Sequence, residues 1–262
     1  MPDNPAPLTP VPAALSPEIL SWAPYSSGGR LFDPVDSLRP YQHWRHAEDL
    51  VRHGTTEFHR IDCVATLRRA VDSRLRRLNS LYEFKRIPVC SKPDGIIDIC
   101  EKFGIFRPLM VQKLQRIRNR VEHQDVPPPG KAECAELVEF VWYFLKSTDS
   151  RVAMLPDGFH SDPDGGFGET PYGLTFRTGP KYEWTIEISG WVPSKLIATP
   201  AVENWIDIAC TEFVRARDIP SKKPSAIGRL AKNKDDDTWV IAHFLGPDTY
   251  RDAIFELYFQ AD

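Results

Sequence analysis

The chain has 262 residues, of which 42% are hydrophobic and 26% are charged, a composition that is ordinary for a globular protein. Its net charge of -3 gives no overall attraction to nucleic acid, so a site for a polyanion must be a local patch. Five cysteines without a Cys-x-x-Cys pair argue against a disulfide framework or a zinc ribbon and favour reduced thiols. Because no segment has the features of a signal peptide or a membrane span, we expect a soluble cytoplasmic protein.

The first 40 residues are rich in proline, and we predict an extended or weakly ordered arm with no core of its own. Residues 42–59 are expected to form a polar helix. Its histidines are interpreted as surface side chains, because the carboxylates or cysteines that would complete a metal site are not apparent. These histidines are His43, His46, His53 and His59.

A long amphipathic helix is predicted over residues 61–84, where apolar residues recur every three or four positions. The opposite face carries five arginines against a single Asp72, so we expect a strongly basic surface there. These arginines are Arg68, Arg69, Arg74, Arg76 and Arg77.

Three further helices are predicted in the next stretch of chain. The first covers residues 96–103 and is ended by Gly104, and the second follows Pro108. The third, at residues 132–145, is apolar almost all round, as a helix in the centre of a bundle would be. We therefore expect a helical bundle of four or five helices over residues 41–150.

The pattern changes beyond residue 151, where turn-forming sequences separate short alternating segments. Strands are predicted at residues 172–176 and 182–192, where a hairpin is expected, and also at 237–244 and 253–259, with a helix between them at 201–217. The fold class is therefore α+β: a mainly α-helical bundle followed by a smaller α+β domain at residues 151–262. No motif indicates what this second domain does.

The segment with the clearest chemical content is an Arg-Asn-x-x-x-His hexad formed by Arg118, Asn119 and His123. It lies at the end of a predicted helix, and the prolines at 127–129 prevent that helix from continuing. Side chains at such a place can converge on a substrate, so we predict a site at this end of the helix.

A helical bundle with this hexad near the end of its third long helix resembles the HEPN superfamily over roughly residues 42–148. Members share an Arg-x(4 to 6)-His motif, often with a polar residue after the arginine. The resemblance implies a metal-independent endoribonuclease that needs no cofactor and acts as a homodimer with both motifs facing one cleft. It implies nothing about the remainder of the chain.

Carried over to this sequence, the resemblance makes His123 the general acid or base, Arg118 the phosphate clamp and Asn119 the orienting residue. These residue types suit cleavage of RNA by its own 2'-hydroxyl, because an imidazole exchanges protons near neutral pH and a guanidinium binds phosphate in a planar fork. DNA lacks this nucleophile and should be inert. Four further arginines are expected to bind the RNA backbone, namely Arg69, Arg76, Arg116 and Arg120.

Helical geometry leaves alternatives open. On an ideal helix Arg118 points about 140° away from His123, so either the helix unwinds before His123 or the two residues work across a two-fold interface. Arg118 is also placed for a simple ion pair with Glu122 four residues later. A non-catalytic module of the same fold that binds a nucleotide or a regulatory protein partner, within a toxin-antitoxin or antiphage defence system, is the alternative function.

Overall fold

The computed structural model combines helices with a large antiparallel sheet, which confirms the α+β class. It describes residues 9–33, 35, 38–90, 93, 95–124, 126–165, 171–219 and 235–261. The chain divides into two compact units, each built from separate segments. One comprises Met1–Gly29, Arg86–Ser91 and Pro156–Asp262, and the other comprises Arg30–Lys85 and Lys92–Leu155.

The second of these, the helical unit, contains six of the seven helices of the described chain. α1, α2 and α5 pack against one another, and α4 packs against α2. Their bounds are α1 Leu38–His53, α2 Glu57–Tyr82, α3 Ile96–Lys102, α4 Leu109–His123, α5 Lys131–Ser147 and α6 Asp149–Ala153.

The central helix α2 confirms the long helix predicted from apolar spacing. Its apolar residues form a continuous buried face, and Thr56 begins it with a side chain that accepts a hydrogen bond from the backbone N–H of His59. The Nδ1 atom of His59 in turn accepts from the backbone N–H of Thr56 at 3.2 Å. The predicted helix at 42–59 therefore ends early, at His53, and His59 caps the next one.

The other helices of this unit lie close to their predicted positions. Gly104, with a φ of 68°, adopts the left-handed conformation that ends α3. α4 starts directly after Pro108, and α5 starts directly after Gly130. Along α5 the buried residues are Cys134, Leu137, Val138, Val141, Phe144 and Leu145, whereas Tyr143 is exposed.

The other unit is built around an eight-stranded antiparallel sheet with the strand order β2-β5-β6-β7-β10-β9-β1-β8. These strands are β1 Val11–Leu15, β2 Ala23–Ser26, β5 Gly158–Asp162, β6 Gly173–Arg177, β7 Glu187–Val192, β8 Ile197–Ala198, β9 Ile206–Arg215 and β10 Thr238–Gly246. β3 Gly29–Leu31 and β4 Met154–Pro156 pair separately. The hairpin expected from residues 172–192 is present as the β6–β7 pair.

The prediction of a weakly ordered N-terminal arm is wrong for residues 11–31, whereas residues 1–8 lie outside the described part of the chain. β1 pairs along its whole length with β9 and at two residues with β8. Ala13, Ala14 and Leu15 are fully buried, as is Ile19 in the following turn of 3-10 helix. The prolines mask this pattern, because Pro12 lies in the strand and Pro17 begins the short helix.

Two elements of the C-terminal half have the opposite type to the one predicted. The segment read as a helix at 201–217 contains β9, in which Ile206, Ile208 and Cys210 are buried at every second position. The segment read as a strand at 253–259 belongs to helix α7, Asp248–Gln260. Its buried residues, Ile254, Phe255, Tyr258 and Phe259, have helical spacing, and the rings of the last three pack against the buried Trp184.

None of the five cysteines forms a disulfide bond, and only Cys90 is exposed. Burial raises the pKa of Cys100 to about 12 and that of Cys210 to about 11, which further lowers their reactivity. We expect one fast-reacting thiol when the native protein is treated with a chromogenic disulfide reagent, and all five after denaturation. Cys90→Ser should remove the fast phase, and a fast phase that persists in this variant would contradict the burial of the other four.

Within the described part of the chain, no helix has the length and apolar character needed to cross a membrane.

Candidate active site

The hexad lies in the last turns of α4. This helix buries Val111 and Leu114 and ends at His123, after which the backbone N–H of Gln124 donates to the carbonyl oxygen of Arg120. Asn119 and His123 are exposed, and Arg118 is half-buried. The site predicted at this end of the helix is therefore reachable by a large substrate.

The three hexad residues meet within one chain. Nη1 of Arg118 donates to Oδ1 of Asn119 at 3.1 Å and lies 3.4 Å from Nε2 of His123. A guanidinium has no acceptor, so a hydrogen bond to this imidazole requires an unprotonated Nε2 and a proton on Nδ1. The same Nε2 lone pair can accept a proton from a substrate only when Arg118 turns to another partner.

The angular separation expected on an ideal helix does not keep Arg118 and His123 apart. Both residues lie within the helical span of α4, so no unwinding precedes His123. The long side chain of Arg118 reaches along the helix surface to the imidazole at the helix end. A second copy of the chain is therefore not needed to bring these two groups together.

Glu122 is the fourth member of this cluster. Its carboxylate forms the anticipated ion pair with Arg118, and the two side chains are 31% and 34% exposed. An ion pair screened by water to this extent contributes only about 0.2–1 kcal/mol. A phosphate group could replace the carboxylate as the partner of Arg118 at little cost.

A cleft of about 270 Å³ opens between α2 and α4 beside the hexad. Arg118, Asn119 and Glu122 line one side of it together with Gln115. Gln115 was not singled out from the sequence, although its spacing of four residues from Asn119 places both on one helix face. The opposite side is formed by α2 residues, which include Arg69.

The predicted RNA-binding arginines separate into two groups. Arg69 lines the cleft at the hexad, and Arg76 lines a larger groove next to it. Arg116 and Arg120 are exposed on α4 but line neither of these cavities, and Nε of Arg116 donates to the carbonyl oxygen of Gln112 at 3.4 Å. The structure thus brings Arg69 and Arg76 near the hexad and directs Arg116 and Arg120 elsewhere.

The expected basic surface of α2 is smaller than its sequence indicates. Arg74 is fully buried and forms an ion pair with Asp149 at 2.9 Å. Arg68 is paired with Asp72 at 2.8 Å, and the guanidinium of Arg77 lies 5.0 Å from the ring centre of Phe32. The prediction is therefore wrong for Arg74, because this position of α2 faces the helical core.

Family models, curated proteins and solved structures provide no match to this chain. Among the described residues, no three histidine, cysteine or carboxylate side chains are grouped closely enough to hold a metal ion. The functional argument consequently depends on the geometry of the hexad and the cleft beside it.

Proposed function

We propose that the protein is a metal-independent endoribonuclease of the HEPN type that acts in the cytoplasm. The observation that carries this proposal is the position of the Arg118 guanidinium, which contacts both Asn119 and His123 at the exposed end of α4. The phosphate-binding cation and the orienting amide line one cleft, and the base lies 3.4 Å from the cation. These are the groups that transesterification of RNA needs.

In the proposed reaction, Arg118 exchanges the Glu122 carboxylate for the scissile phosphate, whose two non-bridging oxygens fit the guanidinium fork. Nε2 of His123 takes the proton of the 2'-hydroxyl, and the 2'-oxygen then attacks phosphorus. The bond between phosphorus and the 5'-oxygen breaks, and the imidazolium of a second copy's His123 donates a proton to that oxygen. The products are a 2',3'-cyclic phosphate and a 5'-hydroxyl.

The proposal includes a homodimer with both hexads facing one cleft, as the HEPN resemblance implies. Two copies would separate the acid and the base, since one His123 could accept the 2'-proton while the other protonates the leaving oxygen. The role of Asn119 is then to hold the guanidinium of Arg118 in place through the hydrogen bond at 3.1 Å.

A non-catalytic module that binds a nucleotide or a regulatory protein partner, in a toxin-antitoxin or antiphage system, is the competing proposal. It is favoured by the ion pair with Glu122, because a carboxylate on the phosphate-binding group opposes binding of a polyanion until the pair opens. Such a module would bind RNA or nucleotide without breaking it.

One assay distinguishes the nuclease from the non-catalytic binding module. Purified protein is incubated with end-labelled RNA in EDTA, alongside Arg118→Ala and His123→Ala. The nuclease predicts cleavage by the wild-type protein that is lost in both variants. Intact RNA at high protein concentration would support the binding module, and cleavage that persists in both variants would show a contaminating nuclease.

A further inference from the structure

A large groove of the helical unit lies beside the hexad cleft. Its volume is about 770 Å³, which lies in the range of pockets that hold small ligands such as a nucleotide. α2 forms one wall, and α4 with the start of α3 forms the others. None of the residues that line it belongs to the hexad.

This groove and the hexad cleft are continuous. Arg68 and Asp72 of α2, together with Gln115 of α4, line both cavities. A strand whose phosphate lies at Arg118 would therefore place an adjoining nucleotide in the larger groove. The ion pair between Arg68 and Asp72 lies where the two cavities adjoin.

Apolar, cationic, amide and carboxylate side chains line the groove. Leu75 of α2 and Ile96 and Ile97 of α3 provide an apolar surface of the kind that covers the face of a base. The exposed cations Arg76 and Lys85 form no ion pair with any described residue, so both can bind phosphate.

Amide side chains line the groove between these cations and the apolar surface. Asn79 on α2 and Gln112 on α4 each offer a donor and an acceptor, which is what the edge of an unpaired base requires. Asp98 contributes an exposed carboxylate at the opposite wall. A carboxylate repels the RNA backbone, but it accepts two parallel hydrogen bonds from neighbouring N–H groups.

Guanine is the base that presents two neighbouring N–H donors on its Watson–Crick edge, at N1 and N2. We propose that this groove binds one unpaired nucleotide next to the cleaved bond and that Asp98 makes guanine its preferred base. The inference rests on the proposed function for its choice of RNA as the ligand. It adds a site for base selection outside the hexad.

The test measures binding separately from cleavage. Fluorescein-labelled hexanucleotides with 2'-O-methyl groups, which cannot be cleaved through the 2'-oxygen, are titrated with the wild-type protein and followed by fluorescence anisotropy. Four versions differ only in one central base. We expect the guanine version to bind about tenfold more tightly than the others, a ratio that corresponds to one or two hydrogen bonds.

Substitutions in the groove test which residues bind the oligonucleotide and which select guanine. Gln112→Ala and Arg76→Ala should each weaken binding several-fold, and Asp98→Asn should abolish the guanine preference while all four versions still bind. Gln42→Ala, which changes an exposed glutamine of α1, is the matched control and should bind like the wild type. Equal affinity for all four bases, or unchanged binding by Gln112→Ala and Arg76→Ala, would overturn the inference.

Failure of the proposed nucleotide site can be distinguished from failure of the proposed nuclease function. Groove-dependent binding without cleavage of ordinary RNA would leave this subsite in place and remove the nuclease. Cleavage that depends on His123 but is indifferent to the groove variants and to the neighbouring base would retain the nuclease and remove the subsite.

Discussion

His123→Ala lowers the rate of RNA cleavage by about 10²- to 10⁴-fold, the range found when a general acid–base group is lost. The imidazole is exposed at the end of α4, so its removal leaves no cavity and should not affect folding. The loss must then appear in the chemical step rather than in the amount of folded protein. Single-turnover cleavage of a labelled RNA, with enzyme in excess, measures that step.

His53→Ala is the matched control for this result. His53 is also exposed and is also the last residue of its helix, α1, but it is not part of the hexad. The control should cleave RNA at the wild-type rate. A His123→Ala protein that is folded and cleaves as fast as His53→Ala would exclude an acid–base role for the imidazole.

The Arg118 variants test a different part of the same site. Arg118→Ala removes the group that faces developing negative charge, so we expect a loss of about 10²- to 10³-fold. Arg118→Lys retains the positive charge but loses the planar fork and the bond to Asn119, and its rate should lie between those of Arg118→Ala and the wild type. This order would separate the contribution of charge from that of geometry.

Arg74→Ala destabilises the helical unit by about 2–5 kcal/mol, the cost of truncating a large, fully buried side chain to alanine. Arg74 is fully buried on α2 and donates to the carbonyl oxygen of Leu145 at 3.2 Å and to Oγ1 of Thr148 at 3.1 Å. It also holds Asp149, which accepts a hydrogen bond from the Tyr41 hydroxyl at 2.7 Å. One guanidinium thus joins α2 to α1, to the end of α5 and to the start of α6.

The loss in free energy of unfolding is measured by denaturant unfolding, with the circular dichroism of the helices as the signal. Two further variants show which property of Arg74 causes it. Arg76→Ala, on the same helix but exposed, should change stability by no more than about 0.5 kcal/mol. Arg74→Met restores much of the volume without the charge, so it should be less destabilising than Arg74→Ala. Equal unfolding midpoints for Arg74→Ala and Arg76→Ala would contradict the buried network.

Periodicity predicted the helical unit well because its helices obey simple rules. In α2 the apolar positions recur with helical spacing over the whole helix, and Gly104 and Gly130 mark neighbouring boundaries. The early end of α1 was missed because Gly54 lies within a polar stretch with a weak apolar pattern. The capping role of His59 depends on a side-chain contact that residue type does not reveal.

The errors in the sheet unit have a common cause. Pairing partners of β1 lie about two hundred residues away in β9, so local composition, dominated by proline, says nothing about them. The alternation in β9 was read as helical, and the aromatic residues of α7 were read as a strand. A short apolar segment fits the spacing of a helix and that of a strand almost equally well. In each case tertiary packing determined which of the two forms.

The sequence predicted which residues form the hexad but not how their side chains are arranged. The hexad identified Arg118, Asn119 and His123, whereas the contact between Arg118 and His123 depends on side-chain conformations that spacing alone argued against. Burial of Arg74 likewise could not be read from α2, since an arginine there is ordinarily on the surface. Gln115 and the groove residues require the packing of α4 on α2 to be known.

The proposed chemistry depends on the RNA supplying its own nucleophile through His123 and Arg118. An RNA with one mapped cleavage position is therefore resynthesised with a single 2'-deoxy nucleotide on the 5' side of that bond, and both RNAs are incubated with the protein in EDTA. We predict that cleavage at the substituted position disappears and that products from unmodified positions end in a 2',3'-cyclic phosphate. Undiminished cleavage at the substituted position, or products with a 5'-phosphate, would contradict the mechanism.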